Sequence, residues 1–474
     1  MNADYEKKEL PMPLSERLDP RSAALVVVDV QNDFCHPEAL CAKAGCDISA
    51  CPEMIENVRE LIDAARQAGV FIVYIQSNYD APALSPTLAE WQIARRGHIG
   101  LCMEGDFGME FSDGISPKED APNEVIVNKH RFSAFQGTRL DLILRSNGIK
   151  TLVMSGIATD GCVESTLRDG FTRDYNIVSA KEAAATYSVE SHEASQAVVE
   201  AQFGPLLPVS KIIEIWRKSE GNVRNWQLAV KTADVLRTLR EQVTPEHTTV
   251  ILVDMQNDFC DQNGVFFRRG GGINSLTEAL PKMEAFLAEA RKSGSLIVHV
   301  HAQYGLKYRH VGGPHGYRGP GPDGICSILA GGEFDQYDPA FDDLGEEPCL
   351  AGTWGEKPMP GFEPLPGEIV VRKHRYSAFL DTRLETVLRA NDIRTVVLLG
   401  VTSNCSVEST ARDAAGRDFY VVVASDCVAA KDSHADLHQG ALKSLAAYFG
   451  QVVSSNEIID AWKDSSSISL RANI

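Results

Sequence analysis

Three residues in the first half of the chain carry side chains that together could cleave an acyl bond: Asp29, Lys129 and Cys162. A thiolate is a strong nucleophile, but the thiol must first lose its proton. Cys162 stands where a turn enters a helical pattern. The positive end of the helix dipole is expected to lower its pKa there, and a neighbouring lysine to lower it further. A carboxylate such as Asp29 can take the thiol proton and later hand it to a leaving group. Each residue alone has an ordinary reading: an aspartate at a strand end is a turn or cap residue, a lysine is solvated, and a lone cysteine is a small buried apolar group. The argument for chemistry is their shared position, because each follows an apolar run.

Those runs are the elements that must position the three side chains. Leu25 to Val28, Phe71 to Ile75, Glu124 to Val127, Thr151 to Met154 and Ile177 to Val178 read as buried strands. Ile55 to Ala68, Arg139 to Asn147 and Val163 to Thr172 show helical spacing of apolar residues. Strands that are apolar throughout and alternate with helices predict an α/β fold with a mostly parallel sheet between helices. Asp29, Lys129 and Cys162 then fall at the carboxyl edge of that sheet, where open α/β sheets hold their sites.

The chain repeats itself. The stretch Ala24 to Cys35 recurs as Val250 to Cys260, and Lys129 to Leu140 recurs as Lys373 to Leu384. From Asp29 to Lys129 is 100 residues, and from Asp254 to Lys373 is 119, so the second copy holds an insertion. Tyr304 keeps the first spacing, which places the insertion between Tyr304 and Lys373; its glycines and prolines predict a loop. Units of this length form a duplicated domain, not a solenoid array. The expected organisation is an extension over 1–20, a first domain over 21–220, a linker over 221–246 and a second domain over 247–474. Apolar residues at helical spacing from Trp226 to Leu239 predict a helical linker.

The motifs Asp29-Val-Gln-Asn-Asp-Phe34, Lys129-His-Arg-Phe-Ser-Ala-Phe135 and Gly156-Ile-Ala-Thr-Asp-Gly-Cys162-Val-Glu-Ser-Thr166 resemble those of isochorismatase-like cysteine hydrolases. Nearly the whole chain takes part in the resemblance, roughly Ser22 to Lys218 and Thr248 to Lys463. The motifs look most like those of amide and ureide hydrolases such as biuret hydrolases, ureidoacrylate amidohydrolases and N-carbamoylsarcosine amidohydrolases. The resemblance implies a sheet of about six strands in each domain and a catalytic triad of Asp29, Lys129 and Cys162. It also implies an oxyanion hole from the backbone N–H groups of Ala158 and Cys162, a cis Ile157–Ala158 peptide, and no cofactor. Phe34, Phe135 and Ile157 are expected near the substrate, although both phenylalanines read equally well as core. The implied reaction is hydrolysis of a small amide, ureido or carbamoyl compound through a thioester, with release of ammonia or an amine. A nicotinamidase-like or isochorismatase-like hydrolysis is the alternative.

In the second copy, Asp254 and Lys373 persist, but Ser406 stands where Cys162 does. Cys405 lies one residue early, about 100° around a helical turn. A serine hydroxyl is far less acidic than a thiol, so the second domain is expected to be degenerate. Catalysis there through Cys405, by a register shift, or by acid chemistry is the alternative. Relatives of this kind assemble as dimers or tetramers, so the fused copies are expected to form an intrachain pseudo-dimer, with further homo-oligomerisation open. The longer loop, with His310, His315, Tyr317 and Arg318, is then a candidate contributor to the first site.

Other classes fit poorly. Sixty-five acidic against 46 basic residues give a net charge of −19, which repels phosphate backbones and anionic lipid, so neither nucleic acid nor membrane is an expected partner. No apolar run reaches the length of a membrane span, and residues 1–20 lack the apolar centre of a signal peptide. Eleven cysteines scattered over a long chain suggest reduced thiols and a cytoplasmic protein. Cys35, Cys41, Cys46 and Cys51 are spaced too widely for the usual zinc pairs. Nicotinamidases related to the family hold a metal near the pocket. His299 and His301 alternate along a strand in the second copy, but Tyr74 and Gln76 occupy those places in the first, so no metal is expected.

Overall fold

The computed structural model describes residues 12–80, 82–97, 100–118, 120–219, 226, 235–268, 272–304 and 348–469. The chain divides into two compact units, Met1–Val235 and Leu236–Ile474. In the first, six parallel strands run β1 (Ala23–Val28), β2 (Phe71–Ser77), β3 (Glu124–Lys129), β4 (Thr151–Ile157), β5 (Asn176–Ala185) and β6 (Leu206–Leu207), in spatial order β3-β2-β1-β4-β5-β6. The second repeats the plan with β7 (Thr248–Val253), β8 (Leu296–Ala302), β9 (Ile369–Lys373), β10 (Thr395–Val401), β11 (Tyr420–Ala429) and β12 (Gln451–Val453). The two sheets are the α/β architecture that the alternation of apolar runs and helical spacing predicts.

Side chains alternate across each strand, so each sheet feeds two cores. Leu25 and Val27 of β1 pack with Val58, Leu61 and Ile62 of the helix Cys51–Ala68 and with Ile212 and Trp216 of the helix Val209–Lys218. Ala24, Val26 and Val28 face the other way, toward Leu144, Leu167 and Val199 of three further helices. The buried indoles find acceptors: Trp216 donates to the Leu18 carbonyl at 3.2 Å, and Trp462 to Val243 at 2.8 Å. No helix among the described residues is long and apolar enough to cross a membrane.

Of the expected helical linker, residues 235–238 are not helical, and the helix is the single turn Leu239–Gln242. The reason is local: Thr238 and Glu241 form a reciprocal capping box that starts a new helix at this point. Trp226, a residue of the expected linker helix, is not helical. It is buried against Phe71 of the first unit, with its Nε1 donating to Gly69 at 2.8 Å. The rest of the linker stretch lies outside the described residues.

Register brings the strand ends together. Ser77 pairs with Lys129 across β2 and β3, and Val28 pairs with Gly156 across β1 and β4. Gly156 has φ +111°, and a Cβ there would lie 2.0 Å from the Val28 carbonyl oxygen. Only glycine lets the two backbones approach so closely. Gly156→Ala is therefore expected to destabilise the first domain by at least about 2 kcal/mol. Thermal and urea denaturation would measure the loss, and an unchanged transition would show that β4 can shift away from β1.

Candidate active site

At the carboxyl edge, Asp29 leaves β1 in the left-handed region at φ 53°, a conformation that aspartate tolerates better than most residues. This turns its carboxylate across the strand end toward β3. Lys129, the last residue of β3, is fully buried, and its Nζ lies 2.8 Å from Asp29 Oδ2. The same ammonium donates to Ser77 Oγ at 2.8 Å, to the Arg131 carbonyl at 3.1 Å and to Cys162 Sγ at 3.3 Å. Cys162 sits in a wide turn, Thr159–Val163, that leads from the end of β4 into the helix Glu164–Phe171. Thr166 fastens that turn: its hydroxyl donates to the Cys162 carbonyl at 2.7 Å and accepts from the Ala134 N–H at 3.0 Å. Asp29, Lys129 and Cys162 thus form one buried cluster, and the Ile157–Ala158 peptide beside them is cis.

Burial changes the expected electrostatics. It pushes the Cys162 thiol up to about 12; Lys129 pulls it down and Asp29 raises it again, so the expected lowering by helix dipole and lysine is reversed. Loss of water around a buried sulfur outweighs one nearby cation. Burial also opposes the Lys129 ammonium, but the Asp29 carboxylate beside it outweighs that, and its pKa lies well above the ordinary lysine value. The resting cluster is therefore an ammonium–carboxylate pair beside a neutral thiol.

Two contributors escape the sequence reading. Ser77 Oγ donates to Asp29 Oδ1 at 3.0 Å while accepting from Lys129, so it joins carboxylate and cation. Its signal is only a polar residue closing an apolar strand. Gln31 bonds the strand end itself, accepting from the Ser77 N–H at 2.7 Å and donating to Met109 at 2.8 Å. Asn32 donates to the Phe107 carbonyl, and Asp33 accepts from the Cys102 N–H at 2.7 Å. The polar residues after Asp29 are a clamp on the loop 102–109. Gln256, Asn257 and Asp258 repeat it on Glu356, Trp354 and Cys349.

The second unit copies the frame with a serine at the place of Cys162. Lys373 is fully buried, 2.7 Å from Asp254 and 3.1 Å from Ser406 Oγ. Ser406 and not Cys405 meets the lysine, and Ala302 stands where Ser77 does, so the bridging hydroxyl is missing. The Val401–Thr402 peptide is cis as well. This site opens into a cavity of about 400 Å³. Phe259, the counterpart of Phe34, and Val401, the counterpart of Ile157, line it. Phe135 lies elsewhere: its ring packs on Tyr175 beneath the Arg173 guanidinium, as Phe379 packs on Phe419 beneath Arg417. These rings hold the helix layer, and the expectation that Phe135 borders the substrate gives way to its core reading.

No group of three or more metal-ligating side chains converges among the described residues. His299 is taken up by Glu368, at 2.7 Å, and burial lowers His301 to about 4. No disulfide joins the ten described cysteines. The insertion with His310, His315, Tyr317 and Arg318 lies outside the described residues.

The raised thiol has a measurable sign. A thiol protonated up to about 12 gains roughly a tenfold larger thiolate fraction per pH unit across the neutral and mildly alkaline range, whereas an ordinary cysteine levels off above about 8.5. Iodoacetamide labelling of Cys162, followed by peptide mass spectrometry, is expected to keep accelerating through pH 10. Asp29→Asn removes a charge that raises the thiol and should speed labelling at pH 8 severalfold. A rate that plateaus below pH 9 would refute the neutral resting thiol.

Comparison with known proteins places this geometry in a wider set. The family model described as the isochorismatase domain matches residues 23–210 and again 248–457. The ureidoacrylate amidohydrolase RutB of Methylobacterium radiotolerans is 35% identical over 207 residues, covering 41% of this chain and 78% of that protein. The protein of the same name from Pantoea ananatis is 35% identical over 186 residues, 37% of this chain and 73% of its own. Among solved structures, N-carbamoylsarcosine amidase from Thermoplasma acidophilum is 29% identical, covers 40% of this chain and 95% of its own, and has a TM-score of 0.33.

Proposed function

We propose, for a chain that belongs to the isochorismatase domain family, that its first domain is a cysteine-dependent amidohydrolase acting on a small amide, ureido or carbamoyl compound. The observation that carries this reading is the buried Lys129 ammonium, which touches both Asp29 at 2.8 Å and Cys162 at 3.3 Å. The substrate class follows from the two similar proteins named as ureidoacrylate amidohydrolases.

Asp29 takes the Cys162 proton as the sulfur attacks the substrate carbonyl. Because the thiol rests neutral, proton transfer and attack belong to one event, and Lys129 stabilises the negative charge as it moves from sulfur to oxygen. The backbone N–H groups of Ala158 and Cys162 hold the oxyanion. The C–N bond then breaks, ammonia or an amine leaves with the proton from Asp29, and an acyl thioester remains on Cys162. Water, deprotonated by Asp29, hydrolyses the thioester and restores the thiol. The first domain spans about residues 21–220. The second, about 247–474, keeps Asp254 and Lys373 but has Ser406 for a nucleophile. A serine hydroxyl is far less acidic than a thiol, so the same carboxylate–lysine frame activates it poorly.

Ammonia release from biuret, ureidoacrylate, N-carbamoyl amino acids, nicotinamide and maleamate tests the reading. Cys162→Ala is expected to lower kcat/KM for the best substrate at least about a thousandfold. Ser406→Ala is expected to leave it within about twofold. Release that survives in Cys162→Ala would move the chemistry to another residue and end the proposal.

A further inference from the structure

The turn that carries Cys162 is fastened differently from its counterpart in the second copy. In the first unit, Ser195, on the helix Val189–Gln202, spans the turn. Its hydroxyl donates to the carboxylate of Glu164, just past the turn, and lies 3.3 Å from the carbonyl oxygen of Thr159, at its start. Thr186, the residue after β5, donates to Asp160 Oδ1 at 2.6 Å. His192 Nδ1 adds a further tie, 2.9 Å from Thr159 Oγ1. Thr159, Thr186 and Ser195 are all buried.

Of these ties, the second copy keeps the histidine: His438 Nδ1 lies 2.7 Å from Ser403 Oγ, the equivalent pair. Three residues after that histidine, Ala441 stands in the place of Ser195; after β11, Ala430 stands in the place of Thr186. Neither has a hydroxyl to donate. Asn404, in the place of Asp160, has its Oδ1 buried without a hydrogen-bond partner among the described residues. The frame beneath the turn, a buried lysine paired with an aspartate, is common to both copies. A contact needed to fold the domain is expected in both. A contact needed to hold one reacting atom is expected where that atom is, and the serine and threonine ties occur beside Cys162 and not beside Ser406.

We propose that Ser195 and Thr186 are positioning residues for Cys162: acting through Thr159, Asp160 and Glu164, they hold the turn so that the sulfur stays 3.3 Å from Lys129 Nζ and aligned for attack. A displacement of about 1 Å at a reacting atom can cost about a hundredfold in rate, so hydroxyls that never meet the substrate can govern turnover. The inference deepens the amidohydrolase reading of the first domain and rests on it for its kinetic part. Ala441, the counterpart of Ser195, lines the cavity of the second unit, so direct contact with substrate is the competing role, and KM separates the two.

The test uses the full chain. In Ser195→Ala combined with Thr186→Val, ammonia release is expected to lose at least about tenfold in kcat, with KM within about twofold. Iodoacetamide labelling of Cys162 at pH 8 is expected to quicken at least about threefold, because a loosened turn admits water to the sulfur, while Cys41 and Cys102, buried elsewhere in the same domain, label no faster. Thr186→Ser keeps the donor and should stay within about twofold of the unaltered protein in both measurements. Asp160 is exposed, so Asp160→Ala breaks the same tie even if the buried substitutions do not fold, and Asp160→Asn, which keeps the acceptor, should restore it. Labelling needs no substrate: if no compound of the panel releases ammonia, the amidohydrolase reading fails and labelling alone decides this one. Labelling unchanged in the double variant and in Asp160→Ala, kcat unchanged in them, a raised KM in place of a lowered kcat, or Thr186→Ser as impaired as Thr186→Val would overturn the proposal.

Discussion

The structure of each domain depends on one buried ion pair: a lysine with no exposure, 2.8 Å from an aspartate in the first copy and 2.7 Å in the second. Removing two charges from water costs several kcal/mol per ion, and Coulomb attraction offsets this only when further hydrogen bonds complete both groups. The first copy supplies them from Ser77 and the Arg131 carbonyl. Such a pair is a poor source of stability compared with apolar packing of the same volume. Its presence at the end of strands that are mostly apolar is best explained by what it does to the atom beside it. That atom is sulfur in one domain and oxygen in the other.

Everything around the pair serves to hold it at the strand ends. The parallel register sets Ser77 beside Lys129, and Gly156 lets β4 close against β1 so that the Cys162 turn reaches the lysine. The left-handed backbone of Asp29 and Asp254 turns the carboxylate inward. Gln31, Asn32 and Asp33 then fasten the loop that covers the edge, and Gln256, Asn257 and Asp258 do the same in the second copy. In a motif that reads as chemistry, only Asp29 meets the lysine, and the three polar residues after it hold the loop.

The sheet was legible because strands buried on both faces leave an unambiguous apolar signature, and the three charged or nucleophilic side chains stand where those runs stop. Burial itself was less legible. The direction of the Cys162 shift depends on how completely water is excluded from the sulfur, which no local pattern reports, and a helix-end argument alone predicts the wrong sign. Phe135 illustrates the same limit. An aromatic ring six residues after Lys129 is equally compatible with pocket and core, and the packing on Tyr175 and Arg173 decides. Strand ends were underestimated where polar or small residues, such as Ser155 and Gly156 in β4, continue the ladder without apolar character.

Duplication separates the frame from the reaction. Two copies hold the same pair, the same cis peptide position and the same loop clamp, yet they differ at Cys162 and Ser406, at Ser77 and Ala302, and at Tyr187 and Lys431. The first two differences replace the thiol beside the lysine with a hydroxyl and remove the hydroxyl that bridges aspartate and lysine. The third places a buried lysine, its Nζ 4.2 Å from the centre of the Phe266 ring, where the first copy has a tyrosine. A cavity that had merely lost its function would be expected to fill or to turn apolar. This one has stayed open, with Phe259, Phe266, Tyr304 and Tyr376 lining it beside Ser406.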